Sequence, residues 1–248
     1  VCARLISLRM SRTRSVKNTP AEVPDIENLH GWKPKFWQKH LENIVEMRKS
    51  RDAPVDTMGC ERLADRQDYP ENFRLQVLIS LMLSSQTKDH ITASAMHRLQ
   101  SVGCNLDTIV PMEHEELEQL IYPVGFYKVD HYLSSLTATS KKRSVGPKMA
   151  HLVMRCAWNE VTGIAVDTHV HRIVNRLQWT KKPTKTPEDT RKALEAWLPR
   201  EHWDRINWLL VGFGQQRCLP VSPRCEDCLN KVVCPVGRKT TTTRLSSK

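Results

Sequence analysis

Four cysteines near the carboxy-terminal end, Cys218, Cys225, Cys228 and Cys234, are separated by six, two and five residues. Four thiolates so close together suit a metal centre, either an iron–sulfur cluster or zinc. Structural zinc sites more often use two paired Cys-x-x-Cys knuckles, and only one such pair, Cys225 with Cys228, is present, which leans modestly toward iron–sulfur. Spacing alone leaves both metals open. The other four cysteines, Cys2, Cys60, Cys104 and Cys156, are scattered, so the clustering argues for ligation rather than a disulfide framework.

Two further residues could act on a substrate. Lys148 follows Pro147, a residue suited to the first position of a helix, and the apolar residues beyond it recur at spacings of three and four. In a first helical turn the positive end of the dipole disfavours an ammonium, which suits a lysine acting as a nucleophilic amine. Such an amine can attack the C1′ carbon of a nucleotide sugar, displace the base and leave an imine that permits strand cleavage by β-elimination. Taken alone, Lys148 reads better as an exposed lysine without a role. Asp167 stands just before Val170, Ile173, Val174 and Leu177, which trace one helical face, so it occupies an N-cap position. A cap explains it fully, at about 1 kcal/mol. A chemical role would be to stabilise positive charge developing on the sugar and to move protons around the amine.

The elements that would position these groups are helices. Phe73, Val77, Leu78, Leu81 and Met82 keep a 3.6-residue period, with Leu75, Ile79 and Leu83 filling the other side, which predicts a buried central helix over 73–83. Ile91, Ala95 and Leu99 place another over about 89–99. Met149, Leu152, Val153, Cys156 and Ala157 form a stripe on the helix that follows Pro147, and Thr186-Pro187-Glu188-Asp189 spells a helix start with a cap and two acids facing the dipole. Alternating strand-like runs are absent.

The 248 residues can bury a substantial core, and no apolar run approaches the length of a membrane span, which predicts a soluble protein. Thirty-eight Lys and Arg against 27 Asp and Glu leave a net charge of +11, favouring a polyanionic partner, nucleic acid above all. Part of that excess lies in the ends: residues 1–17 and 237–248 are basic and carry no acid. The first seventeen residues have the composition of a mitochondrial leader or of a plain basic arm.

Six segments together resemble eukaryotic endonuclease III homologues over roughly Trp32 to Pro235: LMLSSQTKD (81–89), IYPVGFY (121–127), VGPKMAHL (145–152), AVDTHVHRIVNRLQW (165–179), LLVGFGQQRCLP (209–220) and the four-cysteine tail. The resemblance implies that Lys148 is the nucleophile and Asp167 its partner, and that Cys218, Cys225, Cys228 and Cys234 hold a 4Fe–4S cluster. It further implies that Gln86 fills the gap left when a damaged nucleotide turns out of the duplex, with Gly125 and Phe126 as a second wedge. Arg217 and Arg224, beside cluster ligands, are placed to meet phosphates.

One departure from the family pattern is marked. Between the VGFY stretch and the lysine, the family has a complete helix and a Leu-Pro-Gly-Val-Gly hairpin; this chain has only Lys128 to Ser144, and its hairpin position reads Arg143-Ser144-Val145-Gly146. A helix-hairpin-helix grips phosphate with backbone N–H groups, and glycine permits the tight turn and the close approach. With Gly146 alone at that position, weak binding of damaged DNA is expected.

The expectation is therefore an all-α, two-part fold. A helical barrel spans 67–161 with a truncated hairpin, a cluster subdomain is assembled from 30–66 and 162–236, and basic ends occupy 1–29 and 237–248. The expected activity is that of a bifunctional DNA glycosylase and abasic-site lyase on oxidised pyrimidines, a monomer acting on damaged double-stranded DNA in the nucleus or mitochondrion. Alternatives are an adenine glycosylase of the same superfamily, a catalytically impaired DNA-binding form and, more weakly, a zinc-dependent regulator.

Overall fold

Proline and short polar residues start most of the long helices. The structure, a computed structural model, describes residues 31–125 and 145–239; Phe126 and the shortened stretch before Val145 lie outside them. Helix α1 is Trp37–Met47, α2 Pro54–Met58, α3 Pro70–Leu83, α4 Asp89–Val102, α5 Leu106–Ile109 and α6 His114–Ile121. After the gap come α7, Pro147–Trp158, α8, Thr168–Arg176, α9, Pro187–Glu195, and α10, Trp203–Gln216. Proline opens α2, α3, α7 and α9, where its missing N–H costs nothing. Thr186 caps α9 by accepting from the Asp189 N–H, and the Asp189 side chain reaches back to the Thr186 N–H. No β-strand occurs among the described residues.

The central helix α3 begins three residues before its apolar period does, because Pro70 supplies the start. Its polar core residues are satisfied: Ser80 donates to the Cys60 carbonyl at 2.7 Å, and Gln76 accepts from the Asp65 N–H at 2.8 Å. Helix α4 runs on to Val102 and stops at Gly103, whose positive φ of 99° suits glycine.

Apolar residues gather in three clusters. One joins α1 to α8, α9 and α10, from Trp37, Leu41 and Ile44 to Ile173, Leu194 and Leu210. A second lies within 63–124, around Leu83, Met96, Leu99 and Ile121. The third bridges them, with Val77 and Leu81 of α3 against Leu152 of α7 and Ala165. Of the stripe expected on α7, only Leu152 is fully buried; Met149, Val153, Cys156 and Ala157 pack at the margin of this cluster.

Tryptophans dominate the first cluster. Trp197 meets Trp37 and Trp179 edge-on at 5.4 and 5.8 Å, and two of the indole N–H groups have buried partners: Trp179 donates to His40 Nδ1, Trp197 to the Trp179 carbonyl. Burying such a ring removes about 150–250 Å² from water, roughly 4–6 kcal/mol before entropy is counted. The same region holds a buried charge. Arg48 lies against the backbone of Gly212, where an added Cβ would stand 2.4 Å from the guanidinium, so glycine is required on that face of α10.

Candidate active site and cysteine loop

Helices α7 and α8 both begin at one cleft, of about 950 Å³, whose lining includes Gly146, Lys148, Asp167, His169, Gln86 and Asp89. Lys148 is the second residue of α7 and half-buried, as the position of Pro147 requires. Gly146 is the N-cap of that helix in extended backbone, with open space where a Cβ would be. Asp167 caps α8, accepting the Val170 N–H at 2.8 Å. One carboxylate oxygen is thus occupied by the cap, and the residue lines the same cleft as Lys148. Two helix N-termini facing one concavity create a field that favours negative charge.

Three residues the sequence reading passed over share this cleft. His169, two residues past Asp167, is held below the usual histidine range first by burial, with Arg172 and Lys148 adding to the effect and Asp167 and Asp89 opposing it. Its Nδ1 takes a hydrogen bond from Arg172, and an added Cβ at Gly214 would approach it to 2.7 Å. Asp89 is fixed by Gln215 Nε2 at 2.8 Å, and Gln215 in turn accepts the Val55 N–H. Cys60 also lines the cleft; burial pushes its thiol up, so it stays protonated near Lys148. Asp89 in TKD and His169 beside Asp167 in VDTH were the available signal, but caps and helix starts explain those residues equally well.

Gln86 projects from the turn after α3, exposed, with a left-handed φ of 52° that a non-glycine residue adopts at a cost. Gly125 is brought against it: the Gly125 N–H donates to Thr87 Oγ1 at 2.9 Å, and a Cβ there would come within 3.0 Å of the Gln86 carbonyl. The two sequence-predicted wedge positions are therefore neighbours, 39 residues apart in the chain.

Cys218, Cys225, Cys228 and Cys234 line a single small cavity of about 30 Å³, shared with Leu177 and Phe213. Among the described residues no three Cys, His, Asp or Glu side chains converge on one ion position. Arg176 Nη1 donates to Cys218 Sγ at 3.3 Å and also to the Leu219 carbonyl, while Arg172 donates to the Cys218 carbonyl. Arg176 lines the cavity and Arg172, four residues earlier on α8, reaches the Cys218 carbonyl; neither was singled out from sequence. Burial pushes the Cys228 thiol up to about 11 and raises Cys218 as well, with Arg176 and Arg172 partly opposing the rise at Cys218. Asn230, buried, ties the loop to α1 by accepting from Asn43 and donating to the His40 carbonyl. Arg217 and Arg224 sit side by side at its edge: the Arg224 N–H donates to the Arg217 carbonyl, and Arg217 meets Asp227 at 3.6 Å.

Residues 79–200 match the HhH-GPD superfamily of base excision DNA repair proteins. Over 225 positions the chain is 54% identical to endonuclease III-like protein 1 of Gallus gallus, covering 84% of this chain and 80% of that one. The chain belongs to the endonuclease III family, DNA glycosylases of base excision repair. Endonuclease III-like protein 1 of Bos taurus is 53% identical over 224 positions, again with 84% of this chain and 73% of the relative. Both alignments run longer than the part of this chain they contain, so these relatives carry residues, about a helix's length, without a counterpart here. Among solved structures, a non-covalent endonuclease III–DNA complex superposes with a TM-score of 0.63 at 26% identity, covering 83% of this chain and 98% of that one. A thermostable thymine-DNA glycosylase shares the fold, with a TM-score of 0.55 at 16% identity over 80% of this chain. Among the described residues, no helix is long and apolar enough to cross a membrane.

Proposed function

We propose that this endonuclease III homologue is a bifunctional DNA glycosylase and abasic-site lyase acting on oxidised pyrimidines, with Lys148 as nucleophile and Asp167 as its partner. The single observation that carries the reading is that the α7 and α8 starts deliver one amine and one carboxylate into the same cleft. Lys148 Nζ, as a free amine, bonds to C1′ while the bond from C1′ to the base nitrogen breaks, and the base leaves with a proton. Asp167 lowers the energy of the positive charge that builds on the sugar. Ring opening then gives an imine between Lys148 and C1′; loss of a C2′ proton breaks the C3′–O bond and cuts the strand. The nucleotide must leave the stack to reach Lys148, at a cost of a few kcal/mol, and Gln86 with Gly125 stands where a wedge could fill the gap.

The cysteine quartet fits a 4Fe–4S cluster better than zinc. Its four sulfurs ring a cavity rather than converging on one ion, and Arg172 and Arg176 offset the negative charge of bound thiolates. Bound there, the cluster supplies a fixed frame for the loop, and Arg217 and Arg224 at its edge would contact phosphates. The two-part organisation belongs to the same proposal: the first core uses 37–44 with 164–213, and the second only 63–124. Residues 1–17, basic and without an acid, suit a mitochondrial leader or a basic arm, and with DNA as substrate the compartment is nucleus or mitochondrion.

Borohydride trapping on abasic DNA tests the central claim. A covalent adduct lost in Lys148→Ala supports it; an adduct that persists in that variant, or none with cluster-loaded wild type, removes it. A second reading, a form that binds damaged DNA weakly, is favoured by the residues that the relatives have and this chain lacks. It predicts that inserting a family-like helix and hairpin before Gly146 raises DNA affinity; an unchanged affinity would refute it.

A further inference from the structure

At the opposite end of α8 from the catalytic cleft lies a second concavity, of about 440 Å³, unconnected with Lys148. Its wall is assembled from the approach to α1, the turn after α8 and the segment following Cys234. We propose that it is a second phosphate-binding site, which takes a nucleotide either free or as part of a DNA strand.

Charge points to an anion. Lys35, Lys181 and Arg238 line the concavity, and no Asp or Glu does. Lys35 and Lys181 are exposed and form no ion pair among the described residues; each instead lies over an aromatic ring, Lys35 over Phe36 at 5.5 Å and Lys181 over Trp32 at 5.9 Å. The carbonyls at the end of α8, which would repel an anion, are occupied: Leu177, Gln178 and Trp179 donate back to Ile173, Asn175 and Val174.

A buried donor marks the floor. His40 is 1% exposed, and its Nδ1 accepts from Trp179 Nε1, so the ring proton is on Nε2. That N–H has no hydrogen bond of normal geometry, although the Val233 carbonyl lies near it. A ligand oxygen reaching this donor would complete its hydrogen bonding. Strain is gathered here too: Phe36 and Gln178, both lining residues, have left-handed φ values of 61° and 56°.

Size and rings select the ligand class. A space of this volume accommodates a small organic molecule rather than a lone ion, and Trp32 and Phe36 offer faces on which a base can stack. Nine residues of α8 at 1.5 Å each put the site about one helix length from Asp167, so occupancy here need not compete with a nucleotide at Lys148.

The test compares the cluster-loaded full chain with the double variant Lys35→Ser, Lys181→Ser, using two probes: ATP by calorimetry, and a long undamaged duplex across a salt series. If free nucleotide is the ligand, ATP binds wild type with one-to-one stoichiometry and the variant is about ten-fold weaker. If the source is a DNA strand, ATP does not bind, duplex affinity falls several-fold in the variant, and the slope of log affinity against log salt drops by about two. In both cases borohydride trapping on a short abasic duplex is unchanged, which separates this site from the catalytic reading. ATP and duplex binding both unaltered by the double substitution, with the variant's melting temperature at the wild-type value, would overturn the proposal.

Discussion

Arg48 and Asp56 form a two-pronged ion pair, both contacts 2.7 Å, with the two side chains 1% and 5% exposed. The pair is completed by Gln216, which accepts from Arg48, and by Trp208, whose indole N–H donates to Asp56 and whose ring lies under the guanidinium at 5.3 Å. It joins α1, α2 and α10, and α2 leads directly into Gly59 and Cys60 on the cleft wall. Removing one partner leaves the other charge buried, so Arg48→Met or Asp56→Ala is expected to destabilise by about 3–5 kcal/mol. Urea denaturation followed by circular dichroism checks this; a loss within 1 kcal/mol, the scale of a surface pair, would contradict the buried arrangement.

Asp167 caps α8, and the catalytic role proposed for it can be separated from that cap by substitution. Asn caps a helix nearly as well as Asp, so Asp167→Asn should melt within a few tenths of a kcal/mol of wild type, while base release slows by at least ten-fold because the carboxylate charge is gone. Asp167→Ala loses the cap as well and should cost about 1 kcal/mol. Single-turnover base release and thermal melting, measured on the same preparations, distinguish the pair.

Lys148 contributes little to packing at the half-buried start of α7. Lys148→Ala should therefore fold with a stability within about 0.5 kcal/mol of wild type and lose strand cleavage altogether. Gel assay of nicked abasic DNA reads the second effect and calorimetry the first.

Acid should destabilise the fold. Burial lowers the folded-state values of His40, His151, His169 and His202 below the ordinary 6.5. The unfolded chain thus binds more protons, and stability rises with pH through this window. Full stability is present above the unfolded value and is lost progressively as pH falls from 6.5 toward the depressed folded values. A melting temperature that stays level from pH 8 to pH 5 would contradict this.

Cysteine loss should act on DNA binding before it acts on chemistry. Cys228→Ser is expected to bleach the brown colour of an iron–sulfur protein and weaken duplex binding several-fold by freeing Arg217 and Arg224. Visible absorption and fluorescence anisotropy provide the readouts; zinc recovered in place of iron from wild type would correct the cluster assignment.

Much of this was legible in the residues. Helix starts at Pro147, Asp167 and Thr186 could be placed because each is a local event, a fixed φ or a short side chain meeting an N–H two or three residues on. The cysteine quartet was readable from spacing. What escaped the sequence depends on distant partners. Arg48 looks like any surface arginine of an amphipathic helix until Asp56, Trp208 and Gln216 close over it. Asp89 gains its place in the cleft only through Gln215, 126 residues on. Gln86 and Gly125 were named separately, and the bond that makes them neighbours runs through Thr87.

The bonds from Asn43 to Asn230 and from Trp179 to His40 span 187 and 139 residues. During synthesis, α1 leaves the ribosome with its apolar face uncovered and stays so until residues 164–213 have been made. The residues of the second cluster, 63–124, whose contacts are local, can settle first. Shielding the Trp37, Leu41 and Ile44 surface during translation should therefore raise the yield of folded protein, and nonsense mutations upstream of Asn230 should yield aggregates rather than shortened soluble products.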